Sequence, residues 1–202
     1  IGIIGSEGFL GKTLCKISKN YEYEIIEISK LDYENQKSKT FDILINTATP
    51  SKKFWASKNP YLDFQKTVKL TADIAYNWKY EKLIQISSIS AGDDNLNHPY
   101  AINKKTAELI TTYKNHLIVR LGTLYGEGLV KGALYDMLNS NQKEFISSNI
   151  FKISNNYNRM AIQLSDLLVN NLKPIITSIV MPGTVQLTPA GSLIILMKDN
   201  IK

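Results

Sequence analysis

A chain of 202 residues, 44% hydrophobic and 21% charged, can bury the core of one domain but is short for two full ones. A single cysteine, Cys15, excludes an internal disulfide framework and any multi-thiolate metal site, and fits a reducing, cytoplasmic setting. The net charge of +6 invites a nucleic-acid partner, yet Arg120 and Arg159 are the only arginines among 24 basic residues. Bidentate base and phosphate recognition relies on arginine, so no nucleic-acid partner is expected. No apolar run approaches the roughly 20 residues that a membrane span needs, so no membrane partner is expected either.

In chain order, Ile1–Ile4 reads as a short buried strand leading into Gly5-Ser6-Glu7-Gly8-Phe9-Leu10-Gly11. Leu10, Leu14 and Ile17 then recur at helical spacing, with Asn20 as the stop. Glu24–Ile28 reads as a second strand; after a polar passage through Leu31-Asp32-Tyr33, Asp42–Asn46 reads as a third. Tyr61 to Trp78 carries Leu62, Phe64, Val68, Ile74 and Trp78 on a helical period. Leu83–Ser87 is a strand, Tyr100–Tyr113 a helix and Leu117–Leu121 a strand. Such alternation predicts an α/β fold, a doubly wound parallel sheet covered on both faces. Beyond Gly126 the pattern changes to short pieces, including a helix at Leu129–Leu138, a strand at Ile175–Val180 and a last helix near Leu193–Met197.

Three features carry chemistry. Gly5, Gly8 and Gly11 lie between a strand and a helix, where glycines let backbone N–H groups approach a pyrophosphate at the helix N-terminus. Tyr100 and Lys104 are four residues apart, on one face of a helix. An ammonium beside a phenol favours the phenolate, so a lowered Tyr100 pKa and an acid/base role are expected. Ser87 and Ser88 end a strand, where a hydroxyl reaches the carboxyl edge of the sheet at which ligands bind.

Together these residues resemble the extended branch of the short-chain dehydrogenase/reductase superfamily, the nucleotide-sugar epimerases, dehydratases and reductases. The resemblance rests on the glycine turn, Asn46-Thr47-Ala48, Ile86-Ser87-Ser88 and Pro99-Tyr100-x-x-x-Lys104. It extends through Val119-Arg120-Leu121-Gly122-Thr123-Leu124-Tyr125-Gly126 to Arg159-Met160-Ala161-Ile162-Gln163-Leu164-Ser165-Asp166-Leu167, nearly the whole chain. It implies a Rossmann-like dinucleotide-binding core over residues 1–126. Residues 127–202 would form a small C-terminal substrate-binding cap, part of which (about 164–180) returns to the core sheet.

Carried over, Tyr100 would be the catalytic acid/base, Lys104 its partner and a ligand of the nicotinamide ribose, and Ser88 the holder of the substrate oxygen. Gly5, Gly8, Phe9, Leu10, Gly11, Ala48, Ser87, Gly122 and Thr123 would line the cofactor, and Arg159 would pair with the substrate diphosphate. Ser29 and Lys30 stand where NAD-preferring members carry an acid, which points to NADP, with NAD as the alternative. Glu27 is a rival acid whose strand register aims it elsewhere, and Asp32 would reach the adenine if Leu31-Asp32-Tyr33 formed a strand edge. No metal is implied.

Departures from the family narrow the reading. Ile89-Ser90 replaces the acid pair that dehydratases place after the catalytic hydroxyl, which argues against dehydration. Gln163 stands at the family's histidine in the cap motif, and the cap is short. The expected function is reduction of a keto group on a nucleotide-linked sugar with hydride from NADPH. The alternatives are an NAD-dependent epimerase and a non-catalytic, cofactor-binding regulatory subunit. A homodimer through Tyr61–Trp78 and Tyr100–Tyr113 is implied, with Tyr76, Trp78 and Tyr113 either as contacts or packed on the sheet.

Overall fold

The computed structural model describes residues 1–19, 23–92, 96–121, 123–125 and 187–189. Five strands form one parallel sheet: β1 (Gly2–Ile4), β2 (Ile26–Ile28), β3 (Thr40–Asn46), β4 (Lys79–Ser88) and β5 (His116–Leu121), in the order β2-β1-β3-β4-β5. This is the Rossmann-like α/β architecture expected. A further parallel pair joins β6 (Thr123–Tyr125) to β7 (Leu187–Pro189). The strand expected at Ile175–Val180, the cap apart from β7, and the 126/127 boundary lie outside the described residues.

Alternation along the strands divides the core in two. Ile3, Ile43, Ile45, Ile84 and Ile86 face helix α1 (Phe9–Ser18), packing on Leu10, Leu14 and Cys15. Ile4, Leu44 and Leu83 face the other way, onto Ile74 and Trp78, where Phe41 at the start of β3 joins them out of phase. Period-two burial of this kind follows from the pleat, and it fixes the register, since a slip of one residue would exchange the two sets.

The helical stretch before β4 departs from its apolar pattern. It runs as α4 (Pro60–Phe64), a π-helical turn at Gln65–Lys69 and α5 (Leu70–Asn77). Leu62 and Phe64, expected on the buried face, are exposed. The buried stripe runs instead through Asp63, Thr67, Thr71 and Ile74. Trp78 is 1% exposed and packs on Tyr33 and Phe41 at ring-centroid distances of 4.9 and 5.9 Å. It is therefore core and no interface contact, whereas Tyr76 and Tyr113 are exposed and meet edge to face at 5.1 Å.

Two short helices were not anticipated, α2 (Tyr33–Gln36) and α3 (Lys53–Lys58). The first overturns the strand considered at Leu31-Asp32-Tyr33: Asp32 occupies the residue before α2 and its carbonyl accepts from Gln36 N–H at 3.0 Å. The last helix of the layer, α6 (Pro99–Thr111), packs beside α4 and α5 and over β4.

Candidate functional site

In a sheet of this order the strand direction of growth reverses between β1 and β3, which opens a crevice at their carboxyl ends. The residues leaving β1 and β3 there are Gly5-Ser6 and Thr47-Ala48. Gly5 has φ +83°, and a Cβ on it would stand 2.8 Å from the Ala48 backbone, so only glycine fits. A Cβ on Gly11 would collide with the Gly5 carbonyl oxygen. Gly8 N–H donates to that same oxygen at 2.9 Å, closing the turn onto α1.

Helix α1 begins at Gly8 with no side-chain cap and no acidic residue in its first turn. Its first N–H groups, with the positive end of the helix dipole, thus face the crevice mouth without a carboxylate to occupy them. A turn closed to any Cβ beside an uncapped ten-residue helix fits a dinucleotide pyrophosphate. Leu10 is buried in the core below and Phe9 packs partly against it, so these two residues support the turn from beneath. Thr47 braces the β3 side, its hydroxyl donating to the Ile4 carbonyl at 2.7 Å. Ala48 N–H is held by Asn46 Oδ1 at 3.1 Å.

At the end of β2 the half-buried Ser29 donates its hydroxyl to Asp32 Oδ2 at 2.5 Å and accepts from the Leu31 and Asp32 N–H groups. Lys30 beside it is exposed. Glu27 points away, exposed, and sits 3.9 Å from Lys19. A carboxylate missed at its family position is thereby delivered three residues later, by the turn into α2.

The second wall of the crevice comes from β4 and α6. His98 caps α6: its Nδ1 accepts from Tyr100 N–H at 3.1 Å, and its Nε2 lies 2.6 Å from Ser57 Oγ on α3. The cap fixes the backbone of Tyr100, which is 6% exposed and hydrogen-bonds Ser88 through its side chain. Ser88 Oγ also accepts from Ser90 N–H at 3.2 Å, pinning the hydroxyl at the sheet edge.

Lys104 is buried one turn on. Its ammonium donates to Thr49 Oγ1 and lies 5.5 Å from the centroid of the Tyr100 ring. Burial pushes the Lys104 pKa down to about 8, against the pull of Asp63 and Glu108. The Tyr100 phenol is pushed above its ordinary value by burial, the Ser88 hydrogen bond opposing and Asp63 adding to the rise. The expected lowering of the phenol pKa is thus reversed. Loss of water around the phenolate outweighs the stabilisation available to it.

Ser87 does not join this trio. Its hydroxyl donates to the buried Glu108 Oε1 at 2.6 Å, and Arg120 clamps the same carboxylate through Nε at 2.8 Å and Nη2 at 2.7 Å. That cluster ties β4, β5 and α6 together. Thr123 lies in β6, and Gly122 and Arg159 lie outside the described residues. Cys15 is buried on the inner face of α1 with its thiol pushed up to about 11 by burial, an inert position. Among the described residues no cluster of ligating side chains could hold a metal, and no helix is long and apolar enough to cross a membrane.

The structure is similar to a dTDP-4-dehydrorhamnose reductase from Clostridium acetobutylicum, at 21% identity and TM-score 0.56, over 68% of this chain and 57% of that one. A dTDP-4-dehydrorhamnose reductase from Bacillus anthracis in complex with NADP matches at 20% identity and TM-score 0.55, over 68% of this chain and 57% of the other. The Bordetella bronchiseptica enzyme WbmG, in complex with NAD and UDP, matches at 15% identity and TM-score 0.54, over 66% and 56%. At these identities the likeness shows the fold, and the chain spans less than two thirds of the length of each. No curated protein matches by sequence. The family model for the carboxyltransferase domain, subdomain A and B, matches residues 93–202, more than half of the chain. The chain belongs to that family through this segment, whose described part includes α6 and β5 of the parallel sheet. The motifs had pointed to the short-chain dehydrogenase/reductase superfamily, whereas the family model that matches is the carboxyltransferase one.

Proposed function

We propose that this chain is a nicotinamide-dependent oxidoreductase that reduces a keto group on a nucleotide-linked sugar. The reading is carried by one observation: Tyr100 is a buried phenol held in its protonated form, hydrogen-bonded to Ser88 at the carboxyl edge of the sheet. A phenol that keeps its proton at neutral pH suits donation to the oxygen of a carbonyl undergoing reduction. The names of the solved reductases of this fold agree with that direction. Membership of the carboxyltransferase-domain family assigns no reaction to Ser88, Tyr100 or Lys104.

The Gly5–Gly11 turn and the first N–H groups of α1 would hold the pyrophosphate, and Ala48 would line the base side of the crevice. A bound nicotinamide supplies the hydride. Ser88 orients the carbonyl oxygen, Tyr100 gives it a proton, and Lys104 places a positive charge behind the ring. Arg159 is retained as the partner of the substrate diphosphate.

Cofactor preference turns on Ser29, Lys30 and Asp32. Ser29 and Lys30 suit a 2′-phosphate, but the Ser29 hydroxyl is engaged by the Asp32 carboxylate. A carboxylate accepts from a ribose hydroxyl and repels a phosphate, so the preference is read as NAD over NADP. That preference also favours an epimerase, which regenerates its cofactor within each cycle, as the second reading. Calorimetric titration with NADH and NADPH tests the proposal, with binding of either at the micromolar level or tighter expected. Binding of neither would remove the oxidoreductase reading.

A further inference from the structure

His98 is half-buried at the start of α6, and both of its ring nitrogens are engaged. Its Nδ1 accepts from the Tyr100 N–H at 3.1 Å, and a backbone N–H can only donate, so Nδ1 carries no proton. A neutral imidazole then bears its hydrogen on Nε2, which donates to the exposed Ser57 Oγ at 2.6 Å. Pro99, the first residue of α6, has no N–H. Tyr100 N–H is therefore the first backbone donor of the helix, and the ring is its acceptor. Ser57 lies on α3, a six-residue helix in which Ala56 is the buried residue and Phe54 is 73% exposed. So small a burial anchors α3 weakly, and its hold on α6 leans on polar bonds. Two such bonds bracket Tyr100: Ser57 to His98 and, at the exit of β3 just before α3, Thr49 to Lys104. The charged groups of the packed elements are Lys52, Lys53 and Lys58 on or beside α3, Asp63 on α4, and Lys104, Lys105 and Glu108 on α6. The turn Ile89–Ala91, also against α6, bears none. Asp63 is hydrogen-bonded to Asn103 and Glu108 to Arg120, so the two acids are engaged away from the imidazole.

We propose that His98 is a positioning residue and a pH-operated latch on the candidate site. As the neutral Nε2–H imidazole it caps α6 at Tyr100 and holds α3 across to it. A proton taken on Nδ1 sets N–H against N–H, and a positive ring then faces the positive end of the helix dipole. The ring must leave the cap, and the Ser57 bond goes with it. Imidazole is the side chain that changes charge between about pH 5 and 8. The latch is therefore closed on the alkaline side of that range and open on the acid side. It stands on the two hydrogen bonds alone; its bearing on proton transfer rests on the oxidoreductase reading. Opening frees the backbone that aims the Tyr100 phenol at Ser88.

The experiment follows the His98 ring nitrogens and the backbone amides of the full chain by 15N NMR across about pH 5 to 8. At the alkaline end Nδ1 is expected at a pyridine-type shift and Nε2 at a pyrrole-type shift. The Tyr100 amide should inflect at the same midpoint as the ring. Its protection from hydrogen exchange, corrected for the intrinsic pH dependence of exchange, should fall about fivefold on the acid side, the scale of a lost N-cap. His98→Asn keeps a capping oxygen without a titrating ring, and should hold the Tyr100 amide protected throughout. Ser57→Ala should keep the Tyr100 inflection and abolish that of the α3 amides. A proton on Nδ1 at the alkaline end, or a ring that titrates without moving the Tyr100 amide, overturns the proposal. So does a Tyr100 inflection that survives in His98→Asn, or an α3 inflection that survives in Ser57→Ala. If either variant does not fold, the wild-type titration decides on the first two criteria. Calorimetry with NADH on the same wild-type sample separates the two ideas, because absent cofactor binding ends the oxidoreductase reading while the latch remains measurable.

Discussion

The two faces of the sheet are stabilised by different chemistry. On one, Ile3, Leu14, Ile45 and Ile84 meet in a cluster of hydrocarbon and a single thiol. On the other, apolar contacts at Ile4, Leu44 and Trp78 give way toward α6 to a seam of buried polar groups. Asn46 Nδ2 donates to Gln85 Oε1 at 2.9 Å and Gln85 Nε2 to the Ile86 carbonyl at 3.1 Å. Ser87, Glu108 and Arg120 continue the seam, and Asp63 and Asn103 flank it. The first face needs only volume and pattern; the second needs each partner in place, because an unpaired buried group costs more than a pair returns. The candidate acid/base residues sit with the polar face, where ionisation states can be set by neighbours.

That contrast can be broken by substitution, and the largest effect is expected at Tyr100. Tyr100→Phe should lower turnover of a keto substrate by about 10²–10⁴-fold, the range for a lost general acid, while NADH affinity by calorimetry stays the same. Unchanged turnover would remove α6 from the chemistry. Leu14→Ala, on the hydrocarbon face, should cost about 3 kcal/mol in urea denaturation, the usual result of an unfilled core cavity, with cofactor affinity little altered. Glu108→Ala should cost about 2 kcal/mol by the same measurement, less than a fully buried pair because Arg120 is partly exposed. It leaves the Ser87 hydroxyl without its acceptor, so the loss should be greater than for Glu108→Gln.

Asp32→Ala should move the ratio of NADH to NADPH affinity toward NADPH by about tenfold, the scale of one removed charge near a phosphate; no change would place the ribose elsewhere. The smallest effect concerns Asp73 on α5. Burial opposes its ionisation, but hydrogen bonds from Lys37, Asn77 and Tyr33 prevail and hold its carboxyl below the ordinary value. Stability from this group is therefore complete above the ordinary carboxylate pKa and is lost as pH falls through the lowered one. Asp73→Asn should cost less than about 1 kcal/mol at pH 7, since the cluster is part-exposed. The difference from wild type should vanish in acid, read by thermal melts across pH.

What could be read before folding follows the same division. The strands and α1 were legible because Ile3, Leu10, Leu14 and Ile45 obey a simple apolar period. The glycine turn was legible because Gly5 and Gly11 answer to close backbone approach. Ser88 and Tyr100 were expected together and meet. The buried face of α4 and α5 was misread because it is built from Asp63, Thr67 and Thr71, which periodicity counts as polar and assigns to solvent. Trp78 stood between an interface and the sheet because nothing local marks the pocket formed by Tyr33 and Phe41, some forty residues upstream; it packs there. Asp32 and His98 act through caps and turns, whose partners depend on how helices meet strands.

The pairing of β6 with β7 bears on the order in which the chain assembles. Each strand from β2 to β5 adds to a neighbour already synthesised, so the five-stranded sheet can zip up as the chain emerges. Thr123 must instead wait for Leu187, its partner in register. Closing so long a segment carries an entropy cost that grows only slowly with its length, but the delay grows with every residue still to be made. Sheet order thus lets the five strands pair vectorially, whereas the β6–β7 pair can form only after residue 189 has left the ribosome.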